Sequence, residues 1–230
     1  MLVSELFYSI QGEGVLSGQP SFFIRLAGCN LRCNWCDTDY ASWNPSGNEM
    51  SIDEIVKHLE NLNTCHVVVT GGEPMIAKDI NQLCDKLEIN GYHITIETAG
   101  TISPNNIECH LASISPKMSN SKPDARATET WQKRHERDRI NIPVLNEWIN
   151  NYDYQLKFVI DKKDDIDEIL ELLSELETQV EPHNVLLMPQ GVTNEEIDSK
   201  KEMIVELCKE FGFRYCDRLH IGLFGNQKGT

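Results

Sequence analysis

The feature that most constrains this chain is an alternation of short apolar, β-branched runs with capped amphipathic segments. Residues 22–26, 67–69, 94–96, 111–114, 156–160 and 185–188 read as buried strands. Several of the helices between them have legible ends. Ser51 and Glu54 have the spacing of a capping box, and Ile52, Ile55, Val56 and Leu59 then share a face. A helix from about Ile80 to Leu87 stops at Asn90-Gly91, and another is marked by Ile166, Ile169, Leu170, Leu173 and Leu176. Thr193 with Glu196 caps a last long helix that Gly212 ends. Such alternation implies crossover connections and a parallel sheet, whose chemistry sits at the C-terminal ends of the strands. The expectation is an α/β fold forming one domain over residues 1–230. The loop after residue 26 and stretches 70–73, 97–100, 115–117 and 188–190 should converge on one mouth.

Composition enters as a set of exclusions. At 230 residues the chain buries enough surface for a core without disulfides. No apolar run is long enough for a transmembrane helix, and Met1 to Glu5 lacks the pattern of a signal peptide. With 21 basic and 36 acidic residues the net charge is −15, which disfavours nonspecific nucleic-acid binding. The expectation is a cytoplasmic protein with no membrane partner and no direct nucleic-acid partner. One stretch departs from this balance. From Lys117 to Arg139, seven of the 21 basic residues face only four acidic ones, and the periodicity is poor over 118–150. That segment reads as an insertion, either a solvated excursion or a lid or partner surface.

Of eight cysteines, Cys65, Cys84, Cys109, Cys208 and Cys216 are scattered and read as buried small hydrophobes. Cys29, Cys33 and Cys36 are spaced C-x3-C-x2-C directly after a predicted strand. A structural zinc site needs four ligands, and neither His58 nor His66 follows at the usual spacing. Iron–sulfur clusters also take four cysteines as a rule, so three thiolates would leave one iron open to a small molecule. Thr70-Gly71-Gly72-Glu73-Pro74 follows on the next strand end, where glycine permits close backbone approach and a carboxylate can pair with an ammonium.

These two motifs, in this order and with aromatic Trp35 before the third cysteine, resemble those of the radical S-adenosylmethionine (SAM) enzymes. The resemblance implies a partial (β/α)6-type barrel and a [4Fe–4S] cluster on Cys29, Cys33 and Cys36. SAM would be held by Trp35, Cys36, Asp37, Gly72, Glu73, Ser115, Pro116, Lys117 and Gln190. Within that class, Ser9-Ile10-Gln11-Gly12-Glu13-Gly14, the run from Phe23 to Thr38, Glu97-Thr98-Ala99-Gly100 and Phe224-Gly225-Asn226 resemble the 7-carboxy-7-deazaguanine synthases. That family rearranges 6-carboxy-5,6,7,8-tetrahydropterin with loss of ammonia, in queuosine biosynthesis. The likeness implies a pterin site on Ile10, Gln11, Gly12, Glu13, Arg25, Thr70 and Thr230. It also implies Mg²⁺ on Thr38, a homodimer, and a flavodoxin or ferredoxin as reductant. It names no protein acid or base; Glu13 and His220 are candidate proton carriers.

Bland readings stand beside these. Arg25, a charge in an apolar strand, could form an internal salt bridge; Asp37 or Thr38 could cap a helix; the tail after His220 could fray. Lys157 reads as a strand-edge residue. Two other functions fit parts of the pattern, a radical SAM activase acting on a protein and a non-catalytic metal-binding module.

Overall fold

The structure, a computed structural model, describes residues 1–230. Nine strands form one open sheet: β1 (Leu2–Ile10), β2 (Pro20–Leu26), β3 (Asn48–Glu49), β4 (His66–Gly71), β5 (His93–Thr98), β6 (Leu111–Ile114), β7 (Tyr154–Ile160), β8 (Val185–Pro189) and β9 (Arg214–Tyr215). Their spatial order is β3-β1-β2-β4-β5-β6-β7-β8-β9. From β2 to β9 every neighbouring pair is parallel, while β1 runs antiparallel to β2 and β3. The result is a partial, open barrel.

Eight helices complete it: α1 (Asp39–Ser42), α2 (Ile52–Lys57), α3 (Ile80–Ile89), α4 (Glu129–Asp138), α5 (Ile142–Asn151), α6 (Asp165–Glu175), α7 (Asn194–Phe211) and α8 (Leu219–Phe224). Both predicted capping boxes form, Ser51 with Glu54 and Thr193 with Glu196, and Gly212 ends α7 at φ +72°. The β5–β6 connection carries no helix, so the outer layer is thinner than one helix per strand.

Strand periodicity sorts the side chains into two sets. Phe22, Ile24 and Leu26, then Val67 and Val69, Ile94 and Ile96, Ala112 and Ile114, and Leu156, Phe158 and Ile160 enter the main core under the helices. Their neighbours in sequence face the other way. Arg25, Thr70, Glu97, Ser113 and Lys157 border a cavity on the opposite face of the sheet, near the C-terminal strand ends. The barrel therefore has an apolar outer layer and a polar mouth.

Two expectations change here. Lys157 is not on a strand edge: β7 lies between β6 and β8, and the lysine points inward with 7% of its side chain exposed. Segment 118–150 belongs to the connection from β6 to β7, and its α5 sends Leu145 and Trp148 into the main core. The part before α5 packs against the outer side of the cysteine loop rather than across the cavity.

Candidate active site

The cavity measures about 370 Å³ and gathers residues from every predicted strand-end loop except 188–190, from which only Met188 borders it. Its first wall is the cysteine loop. Cys29, Cys33 and Cys36 all border the cavity and all are free. The donor set is therefore three free thiols on one short loop facing a common space, which suits an iron–sulfur cluster better than a hard cation. Burial pushes the Cys29 and Cys33 thiols up to about 12. Coordination by cationic iron reverses that preference, because a coordinating thiol is deprotonated outright. The residues present thus fit the cluster.

The glycine turn lies directly against this loop. Gly71 has φ +145°, and a Cβ at Gly72 would stand 2.7 Å from the Gly28 carbonyl carbon and 2.8 Å from Cys29 Cβ. Glycine is required because two backbones meet there. Glu73, expected to face SAM, is turned into the protein at 1% exposure. It accepts hydrogen bonds from Thr98 Oγ1 at 2.8 Å, Ala99 N–H at 2.8 Å and Met75 N–H at 3.2 Å. Burial nevertheless pushes its carboxyl upward. Glu73 ties the ends of β4 and β5 together and leaves the Gly72 backbone on the cavity.

Trp35 packs between Leu31, Cys33 and Ala99 on one side and Val159, Leu186 and Met188 on the other. Ser115 and Lys117 reach the cavity, with Lys117 Nζ 2.8 Å from Ser115 Oγ; Pro116 does not border it. Gln190 also stands outside, because Lys200 of α7 donates to its carbonyl and to its side-chain oxygen. Thr38 sits at the start of α1 without capping it, and its hydroxyl lies on the cavity wall in a long hydrogen bond of 3.8 Å with Cys36 Sγ.

The facing wall is an ion-paired network. Glu13 accepts from Lys157 Nζ at 2.5 Å and from Arg218 Nε at 3.1 Å. Arg218 also bonds Asp37 and the Gly191 carbonyl, and is 7% exposed. Burial alone would raise the Glu13 carboxyl, but the Lys157 and Arg218 charges hold it well below the carboxylate range. Asp37 is held down in the same way, against its burial, by Arg218. Burial lowers His220 despite nearby Glu13 and keeps it neutral near pH 7. Beside this network Glu97 accepts from Gln11 Nε2 at 3.1 Å and from Thr70 Oγ1 at 2.9 Å.

Arg25 combines both readings offered for it. Its Nε donates to Glu5 at 2.8 Å across β1 and β2, and Tyr40 donates to the same carboxylate oxygen at 2.7 Å. Neither terminal nitrogen of Arg25 is bonded within the chain, and the side chain lines the cavity. Ile10 and Gly12 border it as well. The tail does not fray: residues 226–230 line the cavity, and Lys228 Nζ lies 3.7 Å over the Tyr40 ring.

Sequence reasoning placed Glu97 at the mouth without giving it a role, missed Glu5, Tyr40 and Arg218, and misread Lys157. A charge inside an apolar run signalled Lys157 and Glu5 as it signalled Arg25. Nothing local marked Arg218.

An open parallel barrel with three free thiols beside a glycine turn defines a radical SAM enzyme, and the Radical SAM superfamily profile matches residues 23–111. The chain is 44% identical to the 7-carboxy-7-deazaguanine synthase of Rhodopirellula baltica over 100% of its length and 89% of that protein. It is 41% identical to the enzyme of the same name from Halobacterium salinarum, covering 99% and 92% of the two chains. The crystal structure of QueE from Escherichia coli superposes with a TM-score of 0.70 at 25% identity, over 95% of this chain and 94% of that one. This chain belongs to the 7-carboxy-7-deazaguanine synthase family.

Proposed function

We propose that the chain converts 6-carboxy-5,6,7,8-tetrahydropterin to 7-carboxy-7-deazaguanine with loss of ammonia, as a step of queuosine or 7-deazapurine biosynthesis. The observation that carries this reading is one cavity bordered both by the three thiols and by Arg25, whose terminal nitrogens are free. The full-length relatives named for this activity support it.

Cys29, Cys33 and Cys36 hold a [4Fe–4S] cluster that, when bound, supplies the one-electron reduction from which SAM yields hydrogen-abstracting chemistry. The Gly72 backbone, Trp35, Ser115 and Lys117 bind SAM, with Cys36 and Asp37 at its edge. Gln190, Pro116 and the Glu73 carboxylate support this pocket from behind.

Arg25 grips the substrate carboxylate with its two terminal nitrogens, and Glu5 fixes the plane of the fork through Nε. Gln11, Thr70 and Glu97 present a polar floor to the pterin edge, with Ile10 and the Gly12 backbone beside it. Glu13, held ionised by Lys157 and Arg218, serves as an acceptor for ring N–H groups. Thr38 offers a hard hydroxyl oxygen to Mg²⁺. The tail through Thr230 closes over the substrate and excludes water. The enzyme works as a cytoplasmic homodimer and takes electrons from a flavodoxin or ferredoxin. No helix of the chain is long and apolar enough to cross a membrane.

The test is anaerobic. The reconstituted protein is given SAM, dithionite, Mg²⁺ and 6-carboxytetrahydropterin, and the mixture is read by mass spectrometry. A deazaguanine carboxylate is the expected product. SAM cleavage without it would overturn the substrate and keep the radical class.

A further inference from the structure

The strap that carries the C-terminal end along the cavity hangs on very little. No hydrogen bond or ion pair joins residues 226–230 to the body of the protein. Their bonds run inside the strap, from Gln227 N–H to the Gly225 carbonyl and from Thr230 Oγ1 to the Gln227 carbonyl. Gly225 and Gly229 both have positive φ, +72° and +78°, and a Cβ at either would meet nothing within 4 Å. The strap therefore turns at two points that nothing packs. Its one polar hold on the body is Lys228, whose Nζ stands 3.7 Å over the Tyr40 ring.

Tyr40 is engaged at its other end as well. Its hydroxyl donates to Glu5 Oε2 at 2.7 Å, the same oxygen that receives Arg25 Nε at 2.8 Å. The Glu5 carboxylate has no further partner, so these two donors fix where it stands. The Arg25 guanidinium is backed by Phe7, 5.6 Å from the ring centroid, and Phe7 stacks on Phe23 at 4.7 Å. That backing sits on the paired strands β1 and β2 and owes nothing to the strap. Tyr40, on the short helix α1, thus meets the strap with its ring face and the support of Arg25 with its hydroxyl.

Taking Arg25 as the carboxylate clamp, as the functional reading has it, we propose that Tyr40 is a positioning residue that couples closure of the strap to the geometry of that clamp. With the strap down, Lys228 confines the ring, the ring confines the hydroxyl, and Glu5 holds the Arg25 fork in one plane. With the strap lifted, as substrate entry requires, the ring is released and the fork loosens. Coupling of this kind is reciprocal, so a carboxylate that settles the fork also favours the closed strap. The fork is fully set only when the cavity is shut against water.

The first readout needs no turnover. Carboxypeptidase release of Thr230 from the reconstituted holoenzyme, followed by intact mass, tracks the population of the open strap. Tyr40→Phe keeps the ring and should be trimmed like the wild type. Tyr40→Leu should be trimmed about two- to fivefold faster, the equivalent of one cation–π contact. Should Tyr40→Leu fail to fold, Lys228→Met takes its place: trimming rises, Lys228→Arg restores it, and free peptides of the same tail sequences correct for the change in sequence. Saturating 6-carboxytetrahydropterin without SAM should slow trimming in the wild type and slow it less in Tyr40→Phe. In turnover, Tyr40→Phe should raise the KM for the pterin about three- to tenfold, while kcat falls by less and the KM for SAM is unmoved. Unchanged trimming in the variants that lose the ring or the cation overturns the latch. Equal protection by the pterin in wild type and Tyr40→Phe, or an unchanged pterin KM, overturns the coupling. Failure of the wild type to form product would instead strike the functional reading, and trimming without pterin would still decide the latch.

Discussion

The cysteine-loop wall of the cavity is drawn from two short stretches, 28–38 and 70–73, and is shaped by backbone. The facing wall draws Glu13, Lys157, Arg218 and the tail from distant parts of the chain, and is held by charge. The two buried carboxylates show what this difference means. Glu73, on the first wall, has only neutral donors as direct partners, and burial pushes it upward. Glu13, on the second, is largely enclosed as well, with 14% of its side chain exposed, yet two cations bonded to it carry it the other way. Direct cationic partners thus decide the sign of the shift.

The largest expected effect breaks the first wall. Cys33→Ser should abolish reconstituted iron content and SAM cleavage while the protein still folds, checked by iron analysis and circular dichroism. Retained SAM cleavage would remove Cys33 from the ligand set.

Next comes the second wall. Arg218→Met leaves Glu13 and Asp37 short of a buried partner and should cost about 3–5 kcal/mol in a urea melt. A loss near zero would mean that the network is solvated.

The pH dependence sharpens the same contrast. Glu13 and Asp37 are depressed from ordinary values of 4.5 and 3.8, so their stabilisation is complete above those values and is lost as pH falls below them. Glu73 is raised, so its contribution is complete below 4.5 and declines as pH rises through the raised value. Glu13→Gln should therefore flatten the acid limb of stability against pH. An unchanged acid limb would contradict the depressed carboxylate.

Arg25→Ala should weaken substrate binding by about 10- to 100-fold, the equivalent of roughly 1.5–3 kcal/mol for a charge-assisted contact, with iron content unchanged. Arg25→Lys should recover only part of this, because a point charge lacks the fork. Unaltered affinity in the alanine variant would remove Arg25 from the substrate site.

The smallest effect lies outside both walls. Ser51→Ala removes the α2 capping box for about 1 kcal/mol and should leave turnover untouched. Altered turnover would show that α2 is coupled to the cavity.

Much of the fold was legible because its signals are local. The six central strands are short, largely apolar runs, buried on the helix side, and two helix starts were marked by capping boxes whose partners are three residues apart. β1 was missed because its polar residues Ser4, Glu5 and Ser9 interrupt the run. Helices α4 and α5 were missed because periodicity is poor over 118–150: α4 is strongly polar, and α5 opens on Pro143, which is tolerated only in a first turn.

By itself the sequence determined the cysteine loop, the glycine turn, the strand order along the chain and the class of chemistry, because each rests on spacing within a few residues. Tertiary structure alone decided where the charges go. Whether Lys157 points into the cavity or the core depends on a single step of strand register, and Arg218 meets Glu13 across 205 residues of chain. Such pairings carry no local signature, since a buried ion pair is defined by what surrounds it and not by what precedes it in sequence.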